Sequence, residues 1–226
     1  RIEVNFSANL TAQFYTDQAT MDLLSTPVYA TAMPQAALND GLDPVQYASN
    51  FGLNLNAENG FAIKAYNPAI SGYESYTVNG LYDGYINSKK TMRISNTDWL
   101  GEMARVGFSQ NYDFSLAKAT DNSTSMFSVG YKNNEGILKH TDFENISARM
   151  NTSFTPVKWM TIGENMTVTY TNQVNSFPME NALKMSSIVP VYEEDGVTFA
   201  GPVGGMSDRQ NPVRELYHNR DNRLYI

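Results

Sequence analysis

The chain contains no cysteine, which removes disulfide frames, thiol nucleophiles and thiolate metal sites and leaves the redox compartment open. Charge is scarce as well, at 17% of residues, below the share usual in soluble domains. Lys and Arg number 16 against 23 Asp and Glu, for a net charge of −7, and they form no basic cluster, so a nucleic-acid backbone finds no partner here. Long apolar runs are missing too, none approaching the roughly 18–20 residues of a membrane helix. Any bilayer span must then be made of strands, the other architecture that satisfies every backbone group in lipid. Histidine is limited to His140 and His218, each isolated in a loop. No serine sits beside a base motif, and residues 201–205 lack the lysine and spacing of a phosphate loop. The Glu-Glu-Asp-Gly run at 193–196 lacks the alternating ligands of a calcium loop and reads as a solvated turn. No catalytic residue, metal site or cofactor is expected.

Aromatic residues and alternation are what the chain has in quantity: 14 Tyr, 11 Phe and 2 Trp. Residues 1–14 alternate throughout, with Ile2, Val4, Phe6, Ala8, Leu10, Ala12 and Phe14 on one parity and Glu3, Asn5, Ser7, Asn9, Thr11 and Gln13 on the other. From 108 to 171 the pattern recurs in four segments, and only a strand turns a period of two into two faces. Phe108, Tyr112, Phe114 and Leu116 oppose Ser109, Asn111, Asp113 and Ser115; further on, Ile162, Met166, Val168 and Tyr170 oppose Gly163, Asn165, Thr167 and Thr169, with Glu164 the departure on the oily side. Strands are expected at about 1–14, 106–118, 124–132, 143–155, 159–172 and 222–226. A soluble sandwich also alternates, but its strands run about 5–6 residues, whereas a tilted bilayer-crossing strand needs roughly 9–11. The wet parity is mostly Ser, Thr, Asn and Gly, as a lumen would take. The expected fold is therefore all-β, a segment of a large transmembrane antiparallel β-barrel.

Between the strands lie long extracellular loops, expected at about 15–105, 133–142 and 173–221 and containing short helices. Helix starts are read at Ser25-Thr-Pro27, with Pro34 arguing against one long helix, at Asp43-Pro44, and at 97–98 with Asp98 or Thr97 as the cap. Another short helix is expected at 180–186. The stretch 61–86, rich in Gly, Asn and Tyr, reads as an irregular insertion. Short turns at 119–123 and 155–158 share the opposite end, the asymmetry of outer-membrane barrels. The chain starts inside a strand without an initiating Met and stops as another strand begins, so a longer parent protein is expected.

Several blocks, in order, carry a resemblance: Thr97-Asp-Trp-Leu-Gly-Glu-Met through Gln110-Asn-Tyr-Asp-Phe-Ser-Leu116, Phe127-Ser-Val-Gly-Tyr-Lys-Asn-Asn-Glu-Gly-Ile137, Thr141-Asp-Phe-Glu-Asn-Ile-Ser-Ala-Arg149, Trp159-Met-Thr-Ile-Gly-Glu-Asn-Met166, and Ile188-Val-Pro-Val-Tyr-Glu-Glu-Asp-Gly196 with Asn211-Pro-Val213. The chain resembles the SusC/RagA-type TonB-dependent outer-membrane transporters of Bacteroidetes. The resemblance implies a plugged barrel in the bacterial outer membrane, paired with a SusD-like surface lipoprotein, importing glycan oligosaccharides, or peptides in some members, with energy relayed by TonB. The plug domain and remaining barrel would lie outside these residues.

For substrate contact the candidates are Tyr73, Tyr76, Tyr82 and Tyr85 in the Tyr-rich insertion, because aromatic faces cover sugar C–H surfaces while the hydroxyl stays polar. Packing of those rings onto the loop's neighbours is the bland alternative. Asp208, Arg209 and Asn211 offer hydrogen bonds to hydroxyls or carboxylates. Asn9, Asn122, Asn145, Asn151 and Asn165 each open an Asn-x-Ser/Thr triplet, which a wet face rich in Asn and Thr generates by chance. Two rivals stay open: a soluble all-β glycan-binding module, which needs a closed core, and a secreted carbohydrate-active enzyme, which needs a carboxylate pair such as Glu144 and Glu164 brought within about 5–10 Å.

Overall fold

The computed structural model describes residues 2–16, 23–56, 58, 60–79, 84–203 and 209–226. They divide into two compact units, the first made of Arg1–Thr16, Ala104–Phe177 and Leu216–Ile226, the second of Asp17–Met103 and Pro178–Glu215.

The first unit is an antiparallel meander. Strands β1 (Ile2–Gln13), β4 (Gly107–Ala119), β5 (Ser123–Glu135), β6 (Asp142–Val157), β7 (Met160–Val174) and β8 (Leu224–Tyr225) pair in that order. Residues opposite one another in an antiparallel pair share a face, so the register sorts the side chains into rows. Three successive rows on one face are apolar: Val4, Leu116, Phe127, Met150 and Met166; Phe6, Phe114, Val129, Ala148 and Val168; Ala8, Tyr112, Tyr131, Ile146 and Tyr170. The other face carries Asn5, Ser115, Ser128, Arg149 and Thr167, then Ser7, Asp113, Gly130, Ser147 and Thr169. A one-residue slip would exchange the faces, so the alternation itself fixes the register.

The strands run longer than expected at several ends. β5 reaches Glu135 and β6 starts at Asp142, which shortens the expected 133–142 connection to 136–141. His140 closes it with left-handed backbone, φ 62, and the Arg105 guanidinium donates to the Gly136 and Thr141 carbonyls at 3.0 and 2.7 Å. β6 runs through Pro156, so the expected 155–158 turn is instead the two residues Lys158–Trp159. A register shift between Phe154 and Val157 absorbs the proline, which a ladder tolerates at an irregularity.

The second unit holds α1 (Thr26–Asn39), α2 (Pro44–Ser49), a hairpin of β2 (Gly60–Asn67) and β3 (Gly72–Asn79), α3 (Trp99–Met103), α4 (Met179–Lys184) and the start of α5 (Pro212–Asn219). Two expectations are corrected here. α1 continues through Pro34 as one helix, because Pro34 lies on the packed stripe with Thr26, Ala30, Ala37 and Leu38, and that burial offsets a helix-interior penalty of roughly 3 kcal/mol. The insertion at 61–86 is not irregular throughout: β2 and β3 pair in full register across the turn Pro68–Ser71. Expected caps are in place at Asp43, whose carboxylate accepts from the Val45 and Gln46 N–H groups, and at Asp98, which accepts from Leu100 and Gly101. The expected 180–186 helix is α4, starting one residue earlier and ending at Lys184.

The core sits in the second unit. Leu53, Leu55, Ile63, Val78, Ile94, Trp99, Met103, Ile188 and Val189 are buried there, whereas in the first unit only Val174 and Leu216, among the described apolar residues, are buried. The six-stranded sheet therefore has no core of its own on its oily face, where Phe6, Leu10, Phe114, Val129 and Val168 all stand exposed.

Candidate functional site

Two surfaces can meet a partner or ligand, and the first is the sheet. Its oily rows end at a mainly polar row of Leu10, Gln110, Asn133, Glu144, Asn172 and Tyr225. The tyrosines of the adjacent row reach toward it: Tyr112 donates to Gln110 at 3.4 Å, Tyr131 donates to Glu144 at 3.4 Å, and Asn133 donates to the Tyr131 hydroxyl at 3.2 Å. Tyr112 and Tyr131 stack at 6.3 Å, and Tyr170 lies 6.4 Å from Tyr225. Tyr112 and Tyr131 thus keep their ring bodies on the oily face and their hydroxyls on the polar row. The wet face has a concavity of about 430 Å³ near the short turns, lined by Glu3, Thr124, Met126, Asn151 and Ser153 among others. Asn151 Oδ1 is buried there without a hydrogen-bond partner among the described residues.

Glu144 and Glu164 share the oily parity but do not converge. Glu144 is level with Asn172 on the neighbouring strand, and 172 − 164 = 8 residues separate that position from Glu164, roughly 27 Å along a strand. That distance is far outside the carboxylate spacing a glycoside hydrolase requires.

The second surface is built by the two long excursions, which interlock within the second unit. The N–H groups of Ser95 and Thr97 donate to the carbonyls of Ile188 and Ser187 at 3.0 and 2.8 Å. Thr97 Oγ1 donates to Val189 O at 2.7 Å, and Trp99 Nε1 to Ser186 O at 3.0 Å. Thr26 Oγ1 contacts both Ser95 O, at 2.7 Å, and Ser187 Oγ, at 3.1 Å. These buried polar contacts tie residues 26, 95–99 and 186–189 into one body, and each lost partner would leave an unsatisfied group.

On that body the tyrosine candidates separate. β3 carries Tyr73 and Tyr76 three positions apart, hence on opposite faces of the hairpin. Tyr73 is 72% exposed and meets Tyr66 edge-on at 5.4 Å, with Ile70 exposed at the turn. Tyr76 faces the packed side with Ile63, Ala65 and Val78, and its hydroxyl donates to Glu74. Burial, then that carboxylate, pushes the phenol up to about 12, so it stays neutral. Gln35 of α1 fixes the hairpin edge, accepting from Tyr66 N–H at 2.7 Å and donating to Tyr66 O at 2.8 Å. Tyr85 stands apart, donating to Glu194 at 2.9 Å beneath the Arg93 guanidinium, which also binds Glu194. Hydrogen bonds from Arg93 and Tyr85 hold the Glu194 carboxyl below its ordinary range. Tyr82 and Asp208 lie outside the described residues.

Arg209 donates to Glu180 at 3.3 Å on the surface. Asn211 is a correction: it is 0% exposed, and its amide is fully engaged inside the protein. Nδ2 donates to Val191 O and Ala200 O at 2.8 and 3.0 Å, while Oδ1 accepts from the Val213 and Arg214 N–H groups at 3.0 and 3.1 Å. Its chemistry caps α5 and joins three segments, which leaves nothing for a ligand. Tyr66, at the start of the Tyr-rich insertion, is the aromatic partner that Tyr73 meets on the exposed face. Alternation of Ala62, Lys64 and Tyr66 against Ile63 and Ala65, followed by the Asn67-Pro68 turn signal, marks the hairpin that presents it.

Comparison with known proteins adds a likeness of fold. No protein family matches the chain, and no curated protein does. Among solved structures, the chain is similar to the RagAB peptide importer in its closed-closed state, with a TM-score of 0.59 over 95% of this chain, at 15% identity. The chain spans 24% of the length of that importer chain. The fold is all-β, a long-stranded antiparallel meander with short helices in its connections, shared with part of an importer.

Proposed function

We propose that the chain is the early part of a TonB-dependent outer-membrane barrel that imports a polar oligomer together with a SusD-like surface lipoprotein. The observation that carries this reading is the sheet's pair of faces: three successive apolar rows, exposed or half-buried, cover one side, mostly Ser, Thr, Asn and Gly line the other, and among the described residues no core closes over the oily rows. A soluble module of this shape would expose a large apolar surface to water, which monomeric soluble proteins avoid, whereas lipid covers it at no such cost. The likeness to part of the RagAB importer supports the same assignment. Strand connections on the long side would face outward and form the mouth. The exposed Tyr66–Tyr73 pair, in the long excursion after β1, is suited to cargo, since an aromatic face covers either a sugar ring or an apolar peptide side chain.

The cargo in this reading is a glycan oligosaccharide, as the sequence resemblance implies. A short peptide is the second reading, and the named importer favours it. Uptake by cells with and without the protein tests both. Labelled oligosaccharides and labelled peptides are supplied separately, with and without an uncoupler of the proton-motive force. Uptake of one class that needs the protein and stops with the uncoupler supports import and names the cargo. Recovery of the protein in the soluble fraction, with no uptake defect on its deletion, contradicts it.

A further inference from the structure

We infer that the β6–β7 turn, Lys158–Trp159, is a membrane-interface anchor that fits phospholipid headgroups; this rests on the barrel reading above. Trp159 is 83% exposed, the highest of any large apolar side chain described. A two-residue turn ordinarily recruits Gly, Asn or Asp for its geometry. Lys-Trp supplies none of that, and among the described residues none covers the indole.

The surroundings of the turn say what it meets. Phe154 and Ile162 oppose one another just above it on the oily parity, and both are exposed, as is Val157. Below the polar pair Thr152 and Glu164, which interrupts the oily parity, the apolar surface resumes in these residues and ends at the tip in an indole and a lysine. Trp and Lys together are the pairing favoured where hydrocarbon gives way to headgroups. The indole is apolar in body with one N–H donor, and the lysine lays its stem on apolar surface while its ammonium reaches phosphate.

Distance supplies the independent argument. At the other end of the same strand, Tyr170 belongs to the tyrosine row whose neighbours Tyr112 and Tyr131 turn their hydroxyls toward the polar row. Tyr170 and Trp159 are 170 − 159 = 11 residues apart. At about 3.4 Å per residue that is roughly 37 Å along the strand, and roughly 28 Å along a barrel axis at a tilt near 40°. The aromatic girdles that flank the apolar band of a barrel, about 25 Å tall, stand this far apart. Trp159 therefore sits one girdle spacing from the tyrosine row, where phospholipid phosphates are available to Lys158.

The test uses the whole protein reconstituted in phosphatidylethanolamine–phosphatidylglycerol vesicles. These 226 residues hold no cysteine, so with any cysteine elsewhere in the protein replaced by serine, Trp159→Cys and Ala148→Cys each place one fluorophore. Lipids carrying a nitroxide on the headgroup or at mid-chain report depth, aqueous iodide reports exposure to water, and heat-modifiable gel migration confirms that each variant is folded. The label at 159 should be quenched at least about two-fold more by the headgroup nitroxide than by the mid-chain one, and the label at 148 in the reverse order. Adding Lys158→Gln should weaken headgroup quenching at 159 without moving 148. If 148 reports mid-chain depth while 159 is quenched by iodide alone, or by the mid-chain nitroxide more than the headgroup one, the anchor is wrong and the barrel reading stands. If 148 is not quenched by mid-chain nitroxide, the barrel reading fails and the anchor fails with it.

Discussion

Replacing Asn211 with alanine separates a residue that builds the fold from one that binds cargo. The side chain is fully buried and makes four hydrogen bonds, two given to the carbonyls of Val191 and Ala200 and two accepted from the N–H groups of Val213 and Arg214. Losing the cap of α5 costs about 1 kcal/mol. Val191 O keeps the Ala200 N–H as a donor, whereas Ala200 O loses the Asn211 amide and adds about 1–3 kcal/mol if no water reaches it, for a total of roughly 2–4 kcal/mol. For a chain of this size each kcal/mol moves the melting temperature by about 2–4 °C, so Asn211→Ala should lower it by roughly 4–16 °C. Asn211→Asp keeps the cap acceptors but sets a carboxylate against two carbonyl oxygens, so it should be at least as damaging. Thermal melts of the purified protein, read beside proteolysis within residues 189–215, give the answer. Asn211→Ala with an unchanged melting temperature and a specific loss of cargo binding would refute the reasoning and return Asn211 to the ligand site.

Tyr73→Ala should weaken cargo uptake while leaving stability within about 0.5 kcal/mol, because the ring is mostly in solvent; Tyr85→Phe, which loses only the hydrogen bond to Glu194, should leave uptake unchanged. Equal loss from both variants, measured at matched surface expression, would count against a site confined to the Tyr66–Tyr73 hairpin. The Glu194 and Asp195 carboxyls are both held below their ordinary range, Glu194 chiefly by Arg93 and Asp195 chiefly by the Thr198 hydroxyl. A depressed carboxyl stabilises the fold above its unfolded value of about 4 and loses that contribution as pH falls through the folded value. Protease protection of residues 191–199 should therefore hold from neutral pH down to about 5 and decline below about 4, with Glu194→Gln and Asp195→Asn flattening the decline; a flat wild-type profile would contradict it.

The sheet was legible in the sequence because its two faces meet different solvents, and strict alternation over long segments leaves few other ways to satisfy both. The rows through Phe114 and Val168 follow directly from that parity. Strand ends were harder to read. Pro156 looked like a stop, yet an irregularity in register lets β6 run past it, and Glu135 continues β5 because pairing with Asp142 outweighs the Gly136 turn signal. In the excursions, tertiary packing overrode local rules: Pro34 sits inside α1 since its ring fills the packed stripe. The tyrosines of 66–85 read as one cluster, because spacing in a Gly-rich stretch does not reveal that a hairpin turns Tyr73 outward and Tyr76 inward. Asn211 looked like a polar surface group for a related reason. Its four partners come from segments up to 20 residues away, and no local pattern announces them.

The central claim is that lipid covers the oily face, and a single lysine on each side of β7 tests it. Val168 lies in the middle apolar row and Thr169 is its neighbour on the wet face. Folding free energies of Val168→Lys and Thr169→Lys are measured for the whole protein in bilayers by denaturant titration. Val168→Lys should cost about 2–4 kcal/mol, while Thr169→Lys should stay within about 0.5 kcal/mol of the parent. Equal and small effects of the two substitutions would contradict it.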